Sequence, residues 1–244
     1  MSELGFKARI GLMVPSVNIV AEPEMNRMKP EGVTIHSARI LIPSDISTLQ
    51  AFVRMCEAGC RNVAKAVREL TTAKVDLYAF AFTAGSFFRG VSGAEEIARQ
   101  VEEWGKAPCV VTSLAVVEAL KAYGVRRAAI VSPYAVGNEL LKKFIEQNGI
   151  EVSSMKGLTL SSAQEEGRQT GSTFQNLVRQ ADTPGAEAIM VACTNFATLA
   201  KIADLEKSTG KLIITANQAT FWASLRRLGI KDRLAGFGRL LAEQ

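Results

Sequence analysis

Ala188-Ile-Met-Val-Ala-Cys-Thr-Asn195 is an apolar run of strand length that ends in a thiol and a hydroxyl. Leu77-Tyr-Ala-Phe-Ala-Phe-Thr-Ala84 has the same form, with a phenyl ring where the thiol stands. The pair is one member of an ordered set. Val14-Pro15-Ser16 matches Ser132-Pro133-Tyr134, the stretch 33–41 matches 151–158, and a strand, Thr, helix and Gly succession over 110–124 matches 213–229. Offsets that drift between roughly 103 and 118 residues are what loops of unequal length produce, so each half reads as one copy of a repeated unit.

Working outward, strand-length apolar runs fall at 9–14, 33–41, 77–82, 109–112, 127–132, 151–158, 188–192 and 212–215. Helix-length amphipathic stretches fall between them at 47–70, 94–104, 115–123, 136–148, 172–180, 196–208 and 219–228. Such alternation predicts a parallel sheet covered by helices. The expected fold is α/β, with two pseudo-symmetric Rossmann-like lobes, each holding a parallel four-stranded sheet, and an active site in the cleft between them. Residues 1–124, with the C-terminal segment from about 218 to 244, would form the first lobe, and 125–217 the second. Ligands of open parallel sheets collect beyond the carboxyl ends of the strands. The repeat puts Pro15, Phe82, Thr83, Pro133, Tyr134, Cys193 and Thr194 at such ends.

With 244 residues, 48% of them hydrophobic, the chain can bury a full core. Its 29 basic and 24 acidic residues are scattered, without the basic run or interleaved aromatics of a nucleic-acid surface. A net charge of +5 suits a small anionic substrate and equally suits plain solubility. The apolar stretch 10–14 is short, flanked by Glu3, Lys7 and Arg9 and stopped by Pro15, which fits neither a signal peptide nor a membrane span and makes the cytoplasm the default location. The apolar content also leaves surface that a homo-oligomer would cover.

The four cysteines read as reduced thiols. Cys56 and Cys60 are four apart on one helix face, but His36 is the only histidine and no metal-ligand spacing accompanies them, so they read as packing residues. Glycine-rich dinucleotide turns, phosphate loops and serine nucleophile elbows are absent, so no metal and no cofactor is expected.

The residues resemble the aspartate/glutamate racemase superfamily, and within it the branch of arylmalonate decarboxylase and maleate cis-trans isomerase. Pro15-Ser-Val-Asn18 is similar to the first strand-end loop. Pro30-Glu-Gly-Val33, with His36 and Arg39, is similar to the second strand region of the isomerases. Phe82-Thr-Ala-Gly-Ser-Phe-Phe-Arg-Gly90 resembles the decarboxylase loop of small hydroxyl residues, and Tyr134 and Cys193 fall at the family's tyrosine and second cysteine. The resemblance implies cofactor-independent chemistry, in the racemases and isomerases between two facing cysteines. Phe82 stands at the first of these positions, where the decarboxylase branch has glycine, and a phenyl ring can neither accept a proton nor add to an alkene.

A lone thiol near its ordinary pKa of about 8.5 is mostly protonated at neutral pH and can act as a general acid. A carboxylate held against apolar groups such as Phe82 and Val14 would leave as carbon dioxide, and Cys193 would protonate the remaining enediolate. Hydroxyls of Thr83, Ser86, Tyr134 and Thr194 are the candidate donors to that oxyanion. Pro15, Ser16, Asn18, Ala84 and Asn195 complete the expected contacts with a small carboxylate substrate. Against this stand plainer roles: helix caps for the Thr and Ser residues, and packing for a buried cysteine. His36 and Arg39 lie inside a strand and read as structural. The favoured function is a malonate-type decarboxylase, with a maleate isomerase or a non-catalytic carboxylate-binding homologue as the alternatives.

Overall fold

In the computed structural model, which describes residues 4–244, the first sheet is built from β1 (Ala8–Pro15), β2 (Val33–Ile40), β3 (Leu77–Phe80) and β4 (Cys109–Val111). The second holds β5 (Arg127–Ser132), β6 (Glu151–Gly157), β7 (Ala188–Val191) and β8 (Leu212–Thr215). Their orders are β2-β1-β3-β4 and β6-β5-β7-β8, all parallel, so the two halves share one topology. That is the expected pair of four-stranded lobes. β3, β7 and β8 are buried along their whole length, which is why they read as unbroken apolar runs; the edge strands β2 and β6 are partly exposed and carry polar residues.

The helices are α1 (Ala21–Met28), α2 (Leu49–Thr72), α3 (Thr83–Phe87), α4 (Gly90–Gly105), α5 (Thr112–Ala122), α6 (Asn138–Gln147), α7 (Ala163–Glu166), α8 (Gly171–Ala181), α9 (Ile202–Thr209), α10 (Ala216–Arg227) and α11 (Arg239–Glu243). Thr48 caps α2 by accepting from the Ala51 amide at 3.1 Å, and Phe52, Met55, Cys56, Gly59, Val63, Ala66, Val67 and Leu70 make its buried stripe. α10 is buried on every side from Ala216 to Leu225 because it packs between α5 and both sheets. The Thr112 and Thr220 hydroxyls share a 2.8 Å hydrogen bond there. α11 packs on α10 and β8, while the Tyr123 hydroxyl donates to Glu243 at 3.1 Å and Lys7 pairs with Asp232.

Two local expectations change. The stretch 83–87, expected as a loop, winds into α3. The helix expected over 196–208 is delayed: a 3-10 turn at Leu199–Lys201 precedes α9. The buried carboxylate of Glu24, on α1, accepts from the Thr198 and Leu199 amides at 2.7 and 2.8 Å and from Asn217 at 2.7 Å, so the turn can start only there.

Above the strand ends, the loop after β2 meets the loop before α7. Asp45 and Ser162 form an isolated antiparallel bridge, with Ile46 N–H donating to Ser161 O at 3.0 Å and Ala163 N–H to Ser44 O at 2.8 Å. At this point the two halves are clasped together by backbone hydrogen bonds. Among the described residues no helix is long and apolar enough to cross a membrane.

Candidate functional site

A cavity of about 20 Å³, room for about one water, lies where the strand ends of the two sheets converge. Pro15, Asn18, Phe82, Thr83, Ala84, Tyr134, Cys193, Thr194 and Asn195 line it. Val17, Ile42, Met55, Ala163 and Glu166 line it as well. Two expected residues do not. Ser16 lies outside the lining and accepts from the Ile42 amide at 3.3 Å. Ser86 sits a turn along α3, where its hydroxyl donates back to Thr83 O at 2.7 Å and accepts from the Ser113 amide. Val14 is buried in the sheet core, and the apolar wall is made by Phe82, Val17, Ile42 and Met55 instead.

Cys193 follows β7 in a left-handed backbone conformation, φ +84°, which an L side chain adopts only at a cost of about 1–2 kcal/mol. The thiol donates to Oε2 of Glu166 at 3.2 Å and accepts from the Asn195 amide at 3.3 Å. Burial first, then the neighbouring Glu166 carboxyl, pushes its pKa well above the ordinary thiol value, while the Asn195 amide pulls weakly the other way. Glu166 is only 6% exposed, and burial pushes its pKa up to about 8 against a smaller lowering by the Cys193 hydrogen bond. At neutral pH both are therefore protonated: a thiol beside a carboxylic acid.

Phe82 caps α3 without a side-chain hydrogen bond and lies in a slot between two glycines. A Cβ on Gly59 of α2 or on Gly85 of α3 would overlap its ring. Phe80 meets the ring in an edge-to-face arrangement, with centroids 6.0 Å apart. The ring is thus held by the packing of the first lobe, and it presents hydrocarbon to the cavity.

The hydroxyls divide sharply. Thr83 Oγ1 and Tyr134 Oη are buried with no hydrogen-bond partner, and both residues line the cavity. Such orphaned groups are costly in a folded protein unless something polar meets them. Tyr134 is held by its ring against Phe52, 5.7 Å between centroids, and burial first, with any ionisation of Cys193, Glu166 or Cys56 acting in the same direction, keeps it protonated as a donor. The Thr194 hydroxyl, by contrast, is already used: it donates to Ala81 O at 2.9 Å and accepts from Asn18. Asn18 and Asn195 are used too. Asn18 Oδ1 accepts from the Val20 and Ala21 amides, and Asn195 bridges the Ile19 amide and Ala163 O. Arg39 donates to Asn18 O and pairs with Glu22, and His36 meets Thr34 at 2.9 Å, so both serve the strand as expected.

Glu166 is the ionisable residue of the lining that sequence reasoning missed. It stands in Ser161-Ser-Ala-Gln-Glu-Glu-Gly-Arg-Gln-Thr170, whose composition reads as a solvated loop. The one available signal is that Ala163 and Glu166 are three apart, the spacing of one face of a helical turn.

Relatives share this architecture along nearly their whole length. A maleate isomerase of Pseudomonas putida is 27% identical, with 96% of this chain and 97% of that one aligned. An arylmalonate decarboxylase of Bordetella bronchiseptica is 24% identical over 94% of this chain and 97% of its own. The crystal structure of the maleate isomerase Iso from Pseudomonas putida S16 superimposes with a TM-score of 0.87 at 27% identity, covering 97% of this chain and 98% of that one. The family model for arylmalonate decarboxylase matches residues 10–241, and on that match the chain belongs to the arylmalonate decarboxylase family of enzymes.

Proposed function

We propose that this protein is a cofactor-independent enzyme that forms an enediolate from a small carboxylate and protonates it from Cys193, as a malonate-type decarboxylase. The observation that carries the proposal is the pairing, in one cavity, of a single thiol with two buried hydroxyls that lack partners. Among the described residues Cys193 is the one cysteine in the lining, so one face of a bound carbanion can receive a proton.

In the reaction, one carboxylate of a substituted malonate lies against Phe82, Val17, Ile42 and Met55. There water is excluded and the anion gains no hydrogen bonds. Its bond to the α-carbon breaks, carbon dioxide leaves, and the electron pair passes to the second carboxylate as an enediolate. Thr83 Oγ1 and Tyr134 Oη donate to the enediolate oxygens, each such donor being worth on the order of 3 kcal/mol in the barrier. The Cys193 S–H bond then breaks, its proton goes to the α-carbon, and a thiolate remains. One proton is consumed per turnover.

The relatives named maleate isomerase favour a second reading, in which the same enzyme converts a cis dicarboxylate to its trans isomer. Phe82 stands against it, because among the described residues no second cysteine lines the cavity with Cys193. Proton NMR in heavy water on substituted malonates and maleate, beside Cys193→Ala, separates the two. A monocarboxylate carrying one deuterium, absent with the variant, supports decarboxylation. Fumarate from the native protein moves the activity to the isomerase. Carboxylate binding without turnover, retained by the variant, leaves a binding protein.

A further inference from the structure

Cys193 must recover a proton after each turnover, and its surroundings limit where that proton can come from. The thiol is 7% exposed, and its polar partners are the Asn195 amide, which already donates to sulfur, and Oε2 of Glu166 at 3.2 Å. Glu166 is the last residue of α7, turned under the helix while Glu165 and Arg168 stay toward solvent. Among the described residues Glu166 takes part in no salt bridge. The titratable groups that face it are Cys193 beyond β7, Tyr134 beyond β5 and Cys56 on α2, all neutral when protonated; the charge of Arg89 acts on Cys56 and Cys60. A buried carboxyl with no cation beside it keeps its proton and holds it within reach of sulfur.

We propose that Glu166 is the internal proton donor that restores the Cys193 thiol after each turnover, a positioning residue that acts through sulfur. This rests on the assignment of Cys193 as the acid that protonates the enediolate. When Cys193 has given up its proton, the Oε–H bond of Glu166 breaks and an S–H bond forms, leaving a carboxylate in place of the thiolate. That carboxylate is buried and unpaired, so it takes a proton from water once the cavity opens. The cycle closes with the one proton that decarboxylation consumes, and no other reactant is needed. The arrangement also sets a charge rule for the substrate: a carboxylate can enter beside Glu166 only while Glu166 is neutral, so binding weakens as pH rises through its titration.

The test uses Glu166→Gln, which keeps volume and neutrality and so preserves the fold. Native protein and variant are mixed with a substituted malonate in heavy water and followed through the first and later turnovers. The relay predicts one equivalent of deuterated product per site from the variant, then steady turnover about a hundredfold slower than native, the scale of a positioned proton donor. The native fall in kcat/KM on the alkaline side, near pH 8, disappears in the variant. Equal steady rates with the same alkaline limb would overturn the relay. A second measurement needs no turnover: iodoacetamide labelling of Cys193 against pH, resolved by peptide mass. Glu166→Gln should shift the labelling curve to lower pH, because the carboxylate that opposes the thiolate is gone. An unshifted curve overturns the coupling even if no substrate reacts, whereas a shifted curve with an inactive native enzyme sinks the decarboxylase reading alone.

Discussion

Asn18 donates from Nδ2 to the Thr194 hydroxyl at 3.1 Å, and that hydroxyl donates on to Ala81 O at 2.9 Å, so one threonine of the second lobe joins the strand-end loops after β1 and β3. The other end of the Asn18 amide accepts from the Val20 and Ala21 N–H groups, both at 2.9 Å, and starts α1. Asn18→Ala orphans two helix amides and frees the buried Thr194 hydroxyl on one side. The expected loss is about 2 kcal/mol, read as a lower urea midpoint with unchanged slope.

Cys193 carries its strain for chemistry. At φ +84° glycine is comfortable and alanine is not, so Cys193→Gly should be more stable than Cys193→Ala by roughly 1 kcal/mol. Both should lose turnover by about a hundredfold or more. Thermal melts of the two variants side by side, with no order or the reverse order, would show that the turn relaxes freely and stores nothing.

Phe82 and Gly59 should behave as a coupled pair. A methyl on Gly59 drives the ring toward the cavity, and Gly59→Ala is expected to cost about 1–3 kcal/mol and to shut out ligand. Adding Phe82→Leu should relieve part of that cost, giving a coupling of more than about 0.5 kcal/mol in a double-mutant cycle. Strict additivity would mean that the slot yields at some other wall.

The burial of Glu166 sets a pH dependence of stability. Its pKa rises from 4.5 to about 8 on folding, because the fold disfavours the charged form. The unfolded chain releases the proton first, so the stability linked to this residue is complete below pH 4.5 and is lost as pH rises through about 8. Glu166→Gln removes the dependence. Its melting temperature should match the native protein near pH 4.5 and exceed it at pH 8, by an energy on the order of a few kcal/mol. Parallel curves for the two proteins across that range would count against a neutral buried acid.

Much of this was legible because burial on both faces forces the inner strands to be apolar, and a strand that feeds a ligand site must end in something polar. Thr83, Tyr134 and Cys193 stand at such ends, and the repeat located them. The missed parts lack that signature. α1, with Glu22-Pro-Glu24, is not among the helices expected from the sequence, although Pro23 is harmless in a first turn and Glu24 is buried by a partner 174 positions away. Ser86 and Thr83 are alike as letters, and only the coil of α3 turns one hydroxyl back to the backbone and leaves the other bare. Glu166 is polar, in a polar segment, and becomes a buried acid only when α7 is laid over Cys193.

Ala163, whose amide closes the clasp on Ser44, opens the single turn that ends in Glu166. The cavity beside that turn holds about one water with the clasp shut. Parting the two loops would move the turn that carries Glu166, because Ala163 belongs to both the clasp and α7. If product escape and recharging of the acid share that one movement, a solvent thickened with sucrose should slow both together, and a rate that ignores viscosity would separate them.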